Sequence, residues 1–461
     1  MAPNQYSAFI IANRVGAFFA VLNLGVQIAT TKRISIGLAN GRRAELAEVL
    51  GHATYRTRNA ALAGFLIVPI PTFFIQKIFP QLPADVVQAT RLGVAIFVAS
   101  SLIALLLTPY YSLLVAAHML GRAVIFQVII RIISGIALVV LAKAGVGVGG
   151  MAAMTSVGTL GVALAIRAAA RQLFPDIRTP LFGRRSTTVS LGSDGASLAA
   201  IELAQFVILQ IDVIIVGRFQ YTSVVPYYVC VSLVTAIEAV HNAITQAMVP
   251  EIAARYATQG AEGIASLVIR NTKIVAMYWL AAAMSLVLVS PILLRIWVGD
   301  VVGGEAVLPL KLLIVGYLVR YSEWSFSATV LALGQVRRII ETPFVLASAH
   351  FLLVIALGGR YGSNGVASAT VIGGALVLVW TCAVNVKRCR DIFPISAVRY
   401  FKLSLFRPLA LIGAALAADA VLPTLGVVGV ALRFASAAVG LLAIAVIIDV
   451  RDLISIGRHA S

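Results

Sequence analysis

Apolar runs of about 20 residues alternate with short polar breaks along almost the whole chain, and each run is long enough to cross the roughly 30 Å core of a bilayer as a helix. Cutting at the polar, Pro/Gly and charged breaks predicts about thirteen spans. They lie near residues 8–30, 59–79, 92–113, 122–142, 147–169, 192–217, 224–248, 272–296, 308–331, 339–358, 364–386, 404–422 and 427–449. The runs lack the alternation of barrel strands, so the expected fold class is an all-α polytopic membrane protein. Two runs between Gly192 and Pro250 break the apolar rule by carrying Glu202, Gln205, Asp212, Glu238, His241, Asn242 and Gln246. An ionisable group in hydrocarbon costs about 3 kcal/mol or more, so such residues face protein or a water-filled cavity. At 100° per residue Glu202, Gln205 and Asp212 fall within roughly 80° of one another, and Glu238, His241 and Asn242 share a similar arc. Two readings fit these stripes: the wall of a substrate cavity, or a hydrogen-bonded seam between helices.

Composition strengthens the membrane reading. Of 461 residues 60% are hydrophobic and 12% charged, with a mean hydropathy of +0.98, far from the balance of a soluble domain. The net charge of +18 does not point to nucleic acid, because no folded basic domain with groove-reading or stacking elements is present. Its distribution sets orientation instead. One set of connections holds Lys32, Arg33, Arg42, Arg43, Arg56 and Arg58, then Arg167, Arg171, Arg178, Arg184 and Arg185, then Arg255, Arg270 and Lys273, with further clusters at Arg337–Arg338 and from Lys387 to Arg407. The alternate set holds only Lys77, Arg91, Lys143, Arg218, Arg295, Lys311 and Arg360. The first set is expected in the cytoplasm, which places the C-terminus inside and the N-terminus outside. An exterior N-terminus without a signal sequence suggests one further span ahead of Met1.

The basic stretch 172–191 reads as a cytoplasmic linker between an N-lobe, 1–171, and a C-lobe, 192–390, followed by two additional helices in 391–461. At an offset of 219, Val15, Ala17, Ala20, Val21, Asn23, Gln27 and Gly41 match Val234, Ala236, Ala239, Val240, Asn242, Gln246 and Gly260. Matched spans run in one direction, so the lobes are expected to be parallel six-helix repeats, an architecture used by transporters.

Catalytic and nucleotide signatures are missing: the sequence has no phosphate loop, no HExxH and no nucleophile elbow, and no metal-ligand or cofactor pattern. Cys230, Cys382 and Cys389 form neither a ligand spacing nor a disulfide framework. The informative chemistry is polar groups inside spans. Asn13, Asn23 and Gln27 share a face of the first span with Arg14 nearby, Arg131 stacks with Gln127 and Ser134, and Arg320, Glu323, Trp324 and Ser327 make a third stripe. Arg14, Arg131 and Arg320 suit an anion-binding lumen through charge-assisted donors; internal pairing, as Arg320 with Glu323, suits them too. Glu202 and Asp212 are candidates for ion coupling, since a buried carboxylate titrates near neutrality. Trp279, Trp297 and Trp380 fall near span ends, where interface anchoring explains them.

Three stretches resemble the polysaccharide-export branch of the multidrug/oligosaccharidyl-lipid/polysaccharide (MOP) flippase superfamily. They are Ala2-Pro3-Asn4-Gln5-Tyr6 with Leu22-Asn23-Leu24-Gly25 and Thr31-Lys32-Arg33; Gln210-Ile211-Asp212 through Gly217; and Tyr227, Tyr228 and Pro250. The resemblance implies a two-lobed, MATE-like bundle of twelve or fourteen helices in the inner (plasma) membrane, with the family's first helix missing from this sequence. It implies a polyprenyl-pyrophosphate-linked glycan as substrate, a lipid bilayer as surroundings, and polysaccharide polymerase and glycosyltransferases as partners. The resulting candidate lining is Arg14, Asn23, Gln27, Arg131, Glu202, Gln205, Asp212, Glu238, His241 and Asn242. Two other readings stay open: an ion-coupled multidrug exporter on the same fold, and a membrane-embedded glycosyltransferase or polymerase, for which the exterior loops are short.

Overall fold

The computed structural model describes residues 3–19, 22, 24–39, 43–117, 119–175, 177, 203–204, 208, 210–393 and 396–404, with the isolated positions 406, 410, 413, 416 and 417. Among them every regular element is helical, as hydrocarbon demands of a backbone that must satisfy its own N–H and C=O groups. Among the described residues six stretches are long and apolar enough to cross a membrane: Ala84–Leu105, Val148–Leu173, Tyr221–Asn242, Leu267–Val298, Asp300–Ala332 and Glu341–Arg388. The chain divides into two compact units, Met1–Val225 and Pro226–Ser461.

In the first unit, α1 (Pro3–Phe18) and α2 (Leu24–Ala39) replace the single span expected over 8–30. α3 (Arg43–Ile67) ends where Pro69 and Pro71 remove backbone donors, and two short helices, Pro69–Phe73 and Ile75–Ile78, complete the stretch. Pro83 then precedes α4 (Ala84–Leu105), with Asp85 in its first turn at the positive end of the helix dipole. After a two-residue break α5 (Thr108–Ala116) starts with Pro109 in its first turn, where a missing N–H costs nothing. α6 (Leu120–Lys143) and α7 (Val148–Leu173) are joined through Gly145, whose φ of 77° favours glycine. α4 packs on α1 and α7, α6 lies on α7, and α2 on α3 and α5. The α6–α7 seam is close because Gly158 has no side chain to meet Ser134: a Cβ there would lie 2.4 Å from Ser134 Oγ. Residues 210–219 form a further helix.

The second unit is built from turned helices. α8 (Val224–Val298) reverses at Gly260, where φ 64° and ψ −153° are open to glycine. The reversal makes an antiparallel pair of arms: Arg270 Nη2 donates to Glu251 Oε1 at 2.8 Å, and Trp279 Nε1 donates to His241 Nδ1 at 3.2 Å, so partners straddle Gly260 almost symmetrically. Gly299 (φ 84°) leads into α9 (Asp300–Tyr321), and Ser322–Glu323 separate it from α10 (Trp324–Ala332). α11 (Glu341–Trp380) turns at Gly362 (φ 59°) and continues through a π-helical turn, Thr381–Asn385, to Arg388. α9 and α11 approach backbone to backbone, since a Cβ on Gly374 would lie 2.8 Å from the Gly316 carbonyl oxygen and one on Gly316 would lie 2.9 Å from the Thr370 carbonyl carbon. α12 (Ala397–Ser404) closes the described part.

The spans expected at 224–248 and 272–296 are therefore the membrane-length parts of one long hairpin, and that expected at 308–331 is broken by Ser322 and Glu323. Most of the expected linker, most of the span at 192–217, and nearly all of those at 404–422 and 427–449 lie outside the described residues.

Candidate functional site

Each unit carries its own polar cluster. In the first, α1 brings half-buried Arg14 to the helix of residues 210–219, where its Nη1 donates to Gln210 Oε1 at 2.6 Å. Asp212, buried, follows on the same helix. Above this pair a polar clasp fixes the helix end. Gln81 Nε2 donates to the Phe219 carbonyl at 2.6 Å and its Oε1 accepts from the Tyr221 N–H at 3.1 Å. Arg218 Nη1 donates to the carbonyls of Lys77 (3.2 Å) and Ile78 (2.7 Å), the exposed C-terminal acceptors of a helix. Tyr221 Oη donates to the Asn4 carbonyl at 2.6 Å.

The other residues expected in this half are dispersed. Gln27 is half-buried on α2, and its carbonyl accepts from Thr31 Oγ1 (2.9 Å) and from Ser112 Oγ on α5 (3.2 Å). Arg131 is exposed on α6 beside the exposed apolar positions Val128, Ile129, Ile132 and Ile133. Asn23, Glu202 and Gln205 lie outside the described residues.

In the second unit the residues expected as a stripe, Glu238, His241 and Asn242, sit on the first arm of α8. Two of them join an aromatic cluster. Trp279, on the second arm, stacks face to face on Tyr321 of α9, with centroids 5.2 Å apart and planes 4° from parallel. Tyr317 closes on both rings at 5.9 and 5.6 Å, and Trp324 meets Tyr321 edge-on at 6.2 Å. His241 lies 4.7 Å from the Tyr321 ring. Tyr321 Oη donates to Glu238 Oε1, and the Arg320 guanidinium lies over the Tyr321 ring at 5.4 Å and the Tyr317 ring at 5.9 Å, a cation–π arrangement. Because Trp279 donates to His241 Nδ1, the geometry assigns the imidazole proton to Nε2. That Nε2 is buried and has no hydrogen-bond partner among the described residues. Asn242 is half-buried.

Composition alone misplaced Trp279. Expected as an interface anchor, it is fully buried, because the turn at Gly260 sets it level with His241, well inside the arm. Trp297 is exposed. The break between α9 and α10 forms a second polar focus: buried Glu323 accepts at Oε2 from Ser327 Oγ (2.8 Å) and Thr381 Oγ1 (3.3 Å). Asn385 Nδ2 continues it to Thr342 Oγ1 (2.8 Å) and Thr381 Oγ1 (3.3 Å). Gln210, Tyr317, Tyr321, Thr381 and Asn385 were not among the expected lining; a Tyr-x-x-x-Tyr spacing, one helical turn, was the available signal for the tyrosines. Among the described residues no group of three His, Cys, Asp or Glu side chains could hold a metal ion.

Solved structures share the chain's helical fold. The chain superposes on a lipid II flippase MurJ in an inward closed conformation with a TM-score of 0.65, at 13% identity, over 98% of this chain and 97% of that one. The two share a fold. An inward-facing multidrug resistance MATE family transporter of the MOP superfamily gives a TM-score of 0.60 at 16% identity over 89% of this chain and 92% of that one. A MOP superfamily transporter from Pyrococcus furiosus, described as having a binding pocket of reverse polarity that suggests a different function, gives 0.54 at 17% identity, with 89% of each chain covered. No protein-family model and no curated relative matches the sequence. Within this fold the chain carries a half-buried arginine in one unit and an aromatic, histidine- and glutamate-bearing cluster in the other.

Proposed function

We propose that this chain is a flippase that carries a lipid-linked oligosaccharide or polysaccharide precursor across the inner (plasma) membrane by alternating access between two parallel six-helix lobes. The observation that carries the reading is the cluster around Tyr321. Stacked aromatic faces suit the apolar face of a sugar ring, the Glu238 carboxylate supplies an acceptor, and the unpartnered His241 Nε2–H supplies a donor for hydroxyls. The likeness to a lipid II flippase supports a lipid-linked cargo. In this conformation the rings cover one another, so a sugar engages them once α8 and α9 have separated. Arg14 serves a pyrophosphate through charge-assisted donors, and Arg131, exposed on α6 in this conformation, is kept in the wider lining set. The lining set also keeps Asn23, Gln27, Glu202, Gln205, Asp212 and Asn242. Asp212 and Glu202 are the ion-coupling pair, the C-terminus is cytoplasmic, and a polysaccharide polymerase and glycosyltransferases act on either side of the step. Nothing in the reading requires covalent chemistry.

A deletion strain tests it: surface display of O-antigen or exopolysaccharide falls, and the wild-type gene restores it while Glu238→Gln or Trp279→Ala, at equal expression, does not. Intact glycan display without the gene would sink the proposal. The buried carboxylates Asp212 and Glu323, together with the MATE likeness, favour a second reading, an ion-coupled exporter of small molecules. Drug sensitivity of the deletion strain with normal surface glycan selects that one.

A further inference from the structure

We propose that the base of the α11 hairpin holds an anionic phospholipid by its headgroup phosphate, on Arg337, Lys387 and Arg390. Helix length sets the level of this base. Gly362, where α11 turns, lies 21 residues after Glu341, which is about 31 Å of helix and so about one hydrocarbon thickness. The chain then returns to the level at which it began: Asn385 Nδ2 donates to Thr342 Oγ1 at 2.8 Å, and Arg388 Nη2 donates to Glu341 Oε2 at 3.2 Å, both across the two arms. With Gly362 at one membrane face, both ends of the hairpin stand among the headgroups of the other.

Two segments meet there in a reciprocal clamp. Arg338 Nη1 donates to the Arg388 carbonyl at 3.1 Å, and Arg388 Nη1 donates to the Arg338 carbonyl at 3.0 Å. The first of these bonds covers an acceptor at the end of the returning helix, whose negative pole would otherwise repel an anion. Each clamping guanidinium also holds a carboxylate, Arg338 that of Asp391 (Nη2–Oδ2 2.7 Å) and Arg388 that of Glu341. Residues 335–341 and 386–391 contain no other acid, so Arg337, Lys387 and Arg390 are surplus positive charge, and all three are exposed. Three unneutralised cations on one clamped floor meet a phosphate with the backbone already ordered. The returning arm supplies the other half of a lipid's polarity. Leu376, Val379, Ala383 and Lys387, three or four residues apart, are all exposed, an apolar stripe for acyl chains that ends in an ammonium level with the phosphates.

The test uses the full chain with Cys382→Ser and Val379→Cys, labelled with bimane on the exposed stripe and reconstituted in phosphatidylcholine vesicles. These contain the same share of either brominated phosphatidylglycerol or brominated phosphatidylcholine. Stronger quenching by the phosphatidylglycerol is expected. Arg337→Gln, Lys387→Gln and Arg390→Gln are each expected to weaken that preference, by up to about fivefold, and salt to weaken it as well. Lys387→Arg keeps it, and so does Arg360→Gln, which removes a cation next to the far turn. An unchanged melting temperature shows that the variants fold. Equal quenching by the two lipids overturns the proposal, as does a preference that salt removes and the three glutamine substitutions together leave intact. Displacement of the brominated phosphatidylglycerol by inorganic phosphate or glycerol phosphate in solution assigns the site to a soluble phosphate and overturns the lipid.

Discussion

At the scale of single residues, the structure replaces hydropathy with contacts. Gly374 is the clearest case: an added methyl meets the Gly316 carbonyl oxygen at 2.8 Å and the Arg320 backbone nitrogen at 3.2 Å, and backbone cannot swing aside. Gly374→Ala is expected to destabilise by about 1–3 kcal/mol, read as a lower melting temperature in detergent. It also shifts Arg320 from its place over Tyr321, so glycan display falls at reduced temperature where the protein still folds. Arg14→Ala removes a 2.6 Å charged hydrogen bond to Gln210; the expected loss is about 1.5–3 kcal/mol, with Arg14→Lys recovering part of it. Trp279 shows why some of the site was illegible. Its neighbours in sequence are apolar and the estimated span ended nearby, so only the hairpin geometry reveals that it faces His241.

Elements were legible where one apolar run makes one helix, as in α6 and α7, whereas the span expected at 92–113 is divided between α4 and α5. They were not where a helix continues beyond the membrane or breaks within it. Glu251, Arg255 and Arg270 read as loop charges, yet they pair along the arms of α8, Arg255 Nη2 with Glu251 Oε1 at 3.0 Å and Arg270 at 2.8 Å. The turn of α8 falls at Gly260. A Cβ on Gly260 meets nothing within 4 Å, so Gly260→Ala tests backbone conformation alone; about 1–3 kcal/mol is expected, measured by thermal unfolding. At the base of α11, Arg338 donates to both carboxylate oxygens of Asp391 (Nη2–Oδ2 2.7 Å) and to the Arg388 carbonyl, while Arg388 donates to the Arg338 carbonyl and to Glu341. The hydrogen bonds from Arg338 hold the Asp391 carboxyl below its ordinary range. The folded state thus binds this proton less well than the unfolded one. Its contribution is present above about pH 4 and is lost as pH falls through the folded value. Asp391→Asn is expected to lower the melting temperature slightly at pH 7, by an amount that shrinks as pH falls below about 4; a difference that stays constant into acid would assign the effect to packing.

For the whole molecule, the alternation of basic and neutral connections makes a topological prediction. Reporter fusions after Gln81, Gly145, Gly299 and Gly362 are expected to signal the exterior, and those after Phe174, Gly260, Gln335 and Arg390 the cytoplasm. An inverted pattern would overturn the orientation, and with it the direction assigned to transport. The all-helical membrane fold was readable because apolar length is a property of the sequence. Within the candidate site, that Glu238 and His241 reach Tyr321 from one helix face was legible from their spacing, but that Trp279 and Tyr321 meet them was not, since helix faces follow from sequence and helix neighbours do not.

The turn at Gly260 makes α8 a lever. From His241 to Gly260 is 19 residues, about 28 Å of helix at 1.5 Å per residue. If the arms pivot by about 10° where Trp279 and Tyr321 stack, the tip sweeps about 5 Å. A ring displacement too small to follow directly becomes a distance that paired spin labels resolve, one placed after Thr258 and one after Gly334, in the presence and absence of a lipid-linked oligosaccharide.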